Sequence, residues 1–290
     1  VKFDINFPKS IKMQRGILRK LAEILGQKNY ASVLVVTDQG VLNAGLLNGL
    51  IEDFKNYNIN HALFSDVVAD PSESVILELT DFAKKVKADC IVAIGGGSSI
   101  DAAKLAAVLA LGQEQLSDLY GIGHVKGARL PLIVVPTTAG TGSEATTASV
   151  VTISESEKRG VLSPTLIPDL ALLDADLTLG LPPTVTASTG IDAMVHAIEA
   201  YTSKHLKNPI SDTFAKDALK LLARSIAEVV KNGSNIEARE RMLWGASLAG
   251  MSFSNSPVAA VHALAYPIGA RFHVPHGLSN SFNAAERITL

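Results

Sequence analysis

Six runs of apolar, largely β-branched residues lie in the first two thirds of the chain, each closing on a turn or polar residue. They are VLVVTD (33–38), HALFSDVV (61–68), CIVAIGGG (90–97), LPLIVVPTT (130–138), SVVTI (149–153) and LALLDADL (170–177). Runs of this length and composition predict strands. Between the early ones the apolar spacing stretches to a helical period, as in GLLNGLIEDFKNY and SVILELTDFAKKVKA. Nearly continuous apolar strands alternating with helices predict a mostly parallel sheet covered on both faces. After GLPPTVTA (180–187) the pattern changes, and from about Thr184 onward consecutive helical segments follow: TASTGIDAMVHAIEAYTS, PISDTFAKDALKLLARSIAEVVKNG and EARERMLWGASLAGMSF. Pro182-Pro183 marks the switch. The predicted layout is an α/β domain over residues 1–183 and an all-α domain over 184–290, with no internal repeat.

Composition narrows the partners. The 290 residues are 47% apolar, enough for one large core or two smaller ones. With 26 basic against 28 acidic residues and no run of like charge, neither a nucleic-acid surface nor an anionic membrane is expected. Small molecules and a second copy of the chain are the expected partners. Cys90 is the only cysteine, which rules out a disulfide framework and a thiolate metal cage; inside CIVAIGGG it reads as a core thiol. The start, VKFDINFPKS, lacks the apolar centre of a signal peptide, and no apolar run has the length of a membrane span, so a cytoplasmic setting is expected. Val1 in place of methionine points to processing or trimming.

Two stretches carry nucleotide-binding chemistry. AIGGGSSIDAAKLAAVLA runs from a strand through three glycines into a helix, whose first N–H groups and dipole suit a phosphate. Gly95, Gly96, Gly97 and Ser98 would form the cradle; the alternative is a tight turn whose Ser98 or Ser99 caps the helix. The spacing is not GxGxxG, so it does not by itself establish a standard dinucleotide site. VVPTTAGTGSEAT (134–146) follows another strand and offers the hydroxyls of Thr137, Thr138, Thr141 and Ser143. Asp38 closes VLVVTD, where an acid can take both ribose hydroxyls and repel the extra phosphate of NADP, which favours NAD. A helix cap ahead of QGVLNAG is the other reading of Asp38.

The stretch VHALAYPIGARFHVPHGLSN (261–280) holds three of the seven histidines. Earlier, Asp192 and His196 are four apart in a helical segment and share one face. His262 falls in a helical pattern, and His276, between Pro275 and Gly277, falls in a predicted turn. Together Asp192, His196, His262 and His276 make a one-oxygen, three-nitrogen set that suits Fe(II) or Zn(II) and not an all-oxygen calcium or magnesium cage. Local caps or packing are the alternative for each. Nothing converges around His61, His124 or His205, and His273 could face the cofactor or support a ligand.

GGGSSIDAAK, PTTAGTGSEAT, LPPTVTASTGIDAMVHAIEAY and VHALAYPIGARFHVPHGLSN, in that order, resemble the iron-dependent (group III) alcohol dehydrogenases along nearly the whole chain. The resemblance implies a dehydroquinate synthase-like architecture: a dinucleotide-binding α/β domain, an all-α metal-binding domain, and an active site in the cleft between them. It implies metal ligands at Asp192, His196, His262 and His276, a pyrophosphate loop at Gly95 to Ser98, and a ribose acid at Asp38. It also implies cofactor-contacting hydroxyls at Thr137, Thr138 and Ser143, an aspartate near the nicotinamide at Asp101, and a cofactor-side lysine at Lys158 in SEKRG. The implied activity is metal-assisted hydride transfer between NAD(P) and a small alcohol or its aldehyde or ketone, with iron, or else zinc, and a homodimer or larger assembly.

Many alcohol-oxidising members carry a histidine four residues after the third ligand, where this chain has Tyr266, a poor proton carrier near neutral pH. The pattern also breaks off soon after Asn280, so a C-terminal part of the helical domain is expected to be missing. A glycerol-type polyol dehydrogenase with zinc, a hydroxyacid–oxoacid transhydrogenase and a truncated, non-catalytic nucleotide binder are the alternatives.

Overall fold

The computed structural model of the chain describes residues 3–112, 114–154, 157–272, 274 and 276–288. Its strands are β1 (Ser10–Met13), β2 (Val33–Asp38), β3 (His61–Val67), β4 (Cys90–Gly95), β5 (Gly121–Ile122), β6 (Leu132–Pro136), β7 (Ala148–Ser154), β8 (Glu157–Leu162) and β9 (Leu170–Leu173). The α-helices of the first part are α1 (Leu21–Gly26), α2 (Gln39–Asn43), α3 (Asn48–Asn56), α4 (Glu73–Lys85), α5 (Gly97–Leu109) and α6 (Leu116–Leu119). Five more follow: α7 (Pro183–Thr202), α8 (Pro209–Lys231), α9 (Ile236–Asn255), α10 (Ala260–Phe272) and α11 (His276–Ile288).

Six strands pair in the order β1-β9-β6-β4-β2-β3, all parallel. The apolar runs are nearly continuous because both faces are covered. Leu34, Val36, Ile91, Ala93 and Val134 pack with Ile76, Leu79 and Ile100 of α4 and α5 on one side. Val33, Val35, Val92, Ile94 and Val135 pack with Leu21, Leu25, Leu50 and Phe54 of α1 and α3 on the other. Cys90 is buried in that second layer, and burial pushes its thiol up to about 12, so it is an inert core residue. Leaving β2, the chain first adds β3 on one side and then β4 on the other. The connections therefore diverge at the carboxyl ends of β2 and β4, and in parallel sheets such a switch point opens a crevice.

Strands β1, β5 and β8 are absent from the sequence-based expectation. KRGVL in β8 shows little apolar alternation and is held by antiparallel pairing with β7, part of a small three-stranded sheet. Helix α5, rich in alanine, is buried on nearly every side between that hairpin and the main sheet.

In the helical part, α7, α8 and α9 pack through small residues, among them Ala193, Ala197, Ala215, Ala218, Ala246 and Ala249. The segment joining β6 to β7 connects the two parts. A Cβ on Gly140 would lie 2.5 Å from Thr189 Cβ of α7. A Cβ on Gly250 of α9 would lie 2.5 Å from the Gly142 carbonyl oxygen, and Gly142 itself has φ +62°. The glycines of TTAGTGSEAT are thus needed for backbone contact with the helices. Ser254 of α9 adds a hydroxyl that accepts from the Thr147 N–H at 3.0 Å.

Gly250→Ala should therefore lower stability by about 1–3 kcal/mol, the usual range for overpacking. Urea denaturation checks this; an alanine tolerated without loss would mean that the loop moves freely away from α9.

Candidate active site

The crevice at the switch point continues into one cleft of about 510 Å3 that ends among the histidines. Its walls include Asp38, Gly96, Gly97, Ser98 and Asp101 at one end, Thr137, Thr138, Ser143 and Lys158 along its length, and Asp192, His196, His262 and His276 at the other. Of the expected site residues, Gly95 stands just behind the wall. A Cβ there would strike Ser99 Oγ at 2.6 Å and crowd Asp38 Oδ2 at 3.0 Å, so its glycine lets those two side chains meet. His273 and the side chain of Tyr266 lie outside the described residues.

At the nucleotide end, no side chain caps α5, whose N-cap is Gly96. Gly97 is kept small by Thr141, whose Cγ2 would be 2.7 Å from an added Cβ. Asp38 is the N-cap of α2: its Oδ1 accepts from the Val41 N–H at 3.0 Å, while Ser99 Oγ donates to Oδ2 at 3.1 Å. The cap reading of Asp38 therefore holds, and a carboxylate that still lines the cleft keeps lone pairs for a further donor. Ser98 Oγ accepts from the Asp70 N–H at 3.2 Å. Lys158 Nζ, on β8, lies 2.7 Å from Asp70 Oδ1, is linked through Asp70 to Ser98, and also lines the cleft.

Asp101 is engaged rather than free. Ser143 Oγ donates to its Oδ1 at 2.5 Å, and the Val150 N–H donates to Oδ2 at 2.9 Å. Behind it lies Lys104, fully buried, a residue that the sequence reading passed over. Its ammonium donates to Ser143 Oγ, Thr146 Oγ1 and the carbonyls of Thr146 and Ala148 at 2.8–3.1 Å. A buried cation is tolerated only when paired and hydrogen-bonded, and here every partner but Asp101 belongs to the 143–148 segment. Lys104 thus ties α5 to the loop that lines the cleft.

At the other end, Asp192 and His196 sit one turn apart on α7, both buried. With His262 of α10 they place ligand atoms within 4.8 Å of one another. His276 reaches Asp192 Oδ1 at 3.7 Å from Nε2. It is the first residue of α11, not part of a turn, and Gly277 explains this: a Cβ there would lie 2.3 Å from the Ser188 carbonyl, so glycine lets α11 start directly on α7. The His196 ring stacks between Phe253 (4.3 Å) and His262 (4.4 Å), centroid to centroid. His61 and His124 stay with local carbonyls, of Ile59 and Tyr120, as expected.

The donor set fits a divalent cation. Burial lowers the His196 imidazole to about 3 and also lowers His276, so both are neutral at pH 7 with lone pairs to give. Burial acts to raise Asp192, but the imidazoles and the Asn280 amide outweigh it and hold the carboxyl below its usual range. Neutral imidazoles and an ionised carboxylate are the protonation states that metal binding requires. His196 Nδ1 is buried with no hydrogen-bond partner among the described residues, an arrangement a ligand would resolve. Two further residues escaped the sequence reading. Asn280 Nδ2 donates to Asp192 Oδ1 at 2.5 Å and lies 3.1 Å and 3.2 Å from Nε2 of His262 and His276. Glu199 Oε2 accepts from His262 Nδ1 at 2.6 Å. Asn280, four residues after His276, and Glu199, three after His196, stand at helical spacings that were available as signals.

Comparison with known proteins supports the same reading. The family model for iron-containing alcohol dehydrogenases matches residues 8–175, and the model for the C-terminal domain of that family matches 186–289. The chain belongs to the iron-containing alcohol dehydrogenase family. Long-chain-alcohol dehydrogenase 1 of Geobacillus thermodenitrificans is 40% identical over 96% of this chain and 70% of that protein. Sulfoacetaldehyde reductase of Bilophila wadsworthia is 37% identical over 93% of this chain and 70% of that protein. Among solved structures, a 1,3-propanediol oxidoreductase superposes with a TM-score of 0.92 at 33% identity, over 97% of this chain and 74% of that one. The parallel-sheet part followed by a helical part is therefore the family architecture. This member spans about 70% of the first relatives' length.

Because Lys104 is buried, its pKa falls from 10.5 to about 8, desolvation outweighing the nearby acids Asp101 and Glu144. Between those two values the unfolded chain holds a proton that the folded chain does not. Stability should therefore rise with pH across that window, each unit of separation being worth about 1.4 kcal/mol. Urea denaturation at about pH 7.5 and about pH 10 should show the wild type gaining on Lys104→Met as pH rises; parallel curves would mean that Lys104 stays charged throughout.

Proposed function

We propose that this family member interconverts a small alcohol and its aldehyde or ketone, using NAD at the glycine end of the cleft and a divalent metal, iron or else zinc, at the histidine end. The observation that carries this reading is continuity: the walls of one cleft include both the α5 N-terminus and the Asp192–His196–His262–His276 cluster. A solved sulfoacetaldehyde reductase from Bifidobacterium kashiwanohense, in complex with NAD+, is a neighbour at TM-score 0.88 and 31% identity, which supports NAD as the nucleotide. The relatives' names range over long-chain alcohols, methanol and sulfoacetaldehyde, so kinship supports the reaction class and not one substrate.

In this reading Gly96, Gly97 and Ser98 let the pyrophosphate approach the α5 N-terminus, where N–H groups and the helix dipole favour an anion. Gly95 serves the same turn by leaving room for Ser99 and Asp38. Asp38 accepts from the ribose hydroxyls, and its charge disfavours the additional phosphate of NADP. Thr137, Thr138 and Ser143 offer hydroxyls along the path, with Asp101 bonded to Ser143 and Lys158 as the cofactor-side cation, paired with Asp70. Asp192, His196, His262 and His276 hold the metal, and the packed helices around them exclude water. When bound, the metal supplies Lewis acidity toward the substrate oxygen and the nicotinamide supplies the hydride acceptor or donor. Tyr266 takes the place of the histidine that many alcohol-oxidising members carry; its phenol can hydrogen-bond to a substrate oxygen but is a poor proton carrier near neutral pH.

We also infer that residues 1–183 and 184–290 act as the two working units, one for each ligand, and that the chain works as a cytoplasmic homodimer. No helix among the described residues is long and apolar enough to cross a membrane.

Chelator treatment, or His262→Ala, should abolish turnover of an alcohol panel with NAD while leaving NAD affinity within about twofold, since the two ends of the cleft use different residues. Turnover that survives chelation would overturn the metal reading. Asp38→Asn keeps a good helix cap while removing the charge, so its melting temperature should stay near wild type. Its preference for NAD over NADP should fall by about tenfold or more, as expected for removing a close like charge. An unchanged preference would mean that Asp38 is a cap alone.

A further inference from the structure

Glu199 lies on α7, seven residues after Asp192 and three after His196, and its side chain is buried but outside the cleft wall. Its Oε1 accepts from the Val261 N–H at 2.6 Å, and its Oε2 accepts from the His262 N–H at 3.4 Å and from His262 Nδ1 at 2.6 Å. Both of its oxygens thus accept from nitrogen donors, the bonding pattern of a carboxylate.

Two consequences meet in this one carboxylate. Val261 and His262 belong to the first turn of α10, whose N–H groups have no partner within the helix. Glu199 therefore caps α10 from a neighbouring helix, and its charge also suits the positive end of the dipole. The apolar contact beside it is small, a cluster of Val195 and Val261 with Ile191. The second consequence concerns the ring. A carboxylate can only accept, so His262 Nδ1 must carry the proton. The other nitrogen, Nε2, lies 3.1 Å from the Asn280 amide nitrogen, which can only donate, so it presents a lone pair there, and it faces Asp192 Oδ1 at 3.9 Å.

We propose that Glu199 is a positioning residue for the metal site: it anchors α10 on α7 and, with the same carboxylate, holds His262 in the tautomer that can bind a cation. The proposal rests on the metal reading above. It makes α7 the source of two candidate ligands and of the group that aims a third. Loss of Glu199 should weaken metal binding without touching the nucleotide end of the cleft.

The test uses the full 290-residue chain, stripped of metal and titrated with Co(II) alone, reading the cobalt absorption bands. Glu199→Gln keeps the shape but replaces one acceptor with a donor, and should bind Co(II) about 10–100-fold more weakly, the usual cost of losing a partner behind a ligand. NAD affinity and circular dichroism should match wild type. Unchanged cobalt affinity in a folded Glu199→Gln would overturn the proposal. So would an equal loss of cobalt and NAD affinity, which marks a merely structural role. If the wild type binds no cobalt, the metal reading falls, and this proposal with it. A second measurement needs no variant: long-range proton–nitrogen NMR of the metal-free wild type should show His262 protonated at Nδ1. Protonation at Nε2 would overturn the proposal even if the variant failed to fold.

Discussion

The site depends on one close backbone contact, the meeting of Gly142 with Gly250. The sheet alone builds half a cleft: the switch point between β2 and β4 opens at their carboxyl ends and has no opposite wall. That wall is made by α7 and α9, and they can stand near enough only because the segment after β6 offers glycine where backbone meets backbone. The same segment turns Thr137, Thr138 and Ser143 toward the cleft. A mortise of this kind has little tolerance, since interiors are packed as densely as organic crystals. Residues that look like a nucleotide loop in sequence are thus also the joint between the two layers.

Two buried polar clusters flank that joint, and they differ in how completely they are satisfied. Around Lys104, each donor finds an acceptor among Ser143, Thr146 and Ala148, and Asp101 takes bonds from Ser143 and Val150. That is the pattern of a network that holds shape. Around Asp192, a buried His196 nitrogen has no hydrogen-bond partner among the described residues, and one Asn280 amide nitrogen approaches three acceptor atoms with only two hydrogens. A cluster of acceptors gathered on rigid helices, with one buried imidazole nitrogen lacking a partner among the described residues, is suited to a cation. The contrast between the clusters, more than the presence of histidines, separates the candidate metal centre from ordinary core polarity.

Much of this was legible in the residues, and the failures have physical causes. VLVVTD coincides with β2, and CIVAIGGG contains β4, which stops at Gly95, because strands buried on both faces leave an unbroken apolar signal. KRGVL left none, since β8 is half exposed and owes its existence to its partner β7. Asp192 and His196 were readable as a pair because helical spacing places them on one face. His276 was assigned to a turn because proline and glycine flank it; it opens α11 instead, since Gly277 serves close packing there and not chain reversal. Lys104 was invisible for a different reason: a lysine in an alanine-rich helix looks solvent-facing until the loop that buries it is in place.

Helix α7 explains why so few residues define the far end of the cleft. Asp192, His196 and Glu199 follow at four and then three residues, a spacing that keeps all three on one stripe. A 20-residue helix packed against α8 and α9 is a stiff ruler, so the relative positions along that stripe are set by the helix itself. Helices α10 and α11 then each add one histidine, and each is tied to α7 at its first turn, α10 through the Glu199 carboxylate and α11 through the bare Gly277 backbone. The histidines sit at those tied first turns, His262 within the first turn of α10 and His276 at the first position of α11. Fraying at the far ends of these helices therefore acts on the site only weakly, whereas any change that lifts their first turns from α7 acts on it directly.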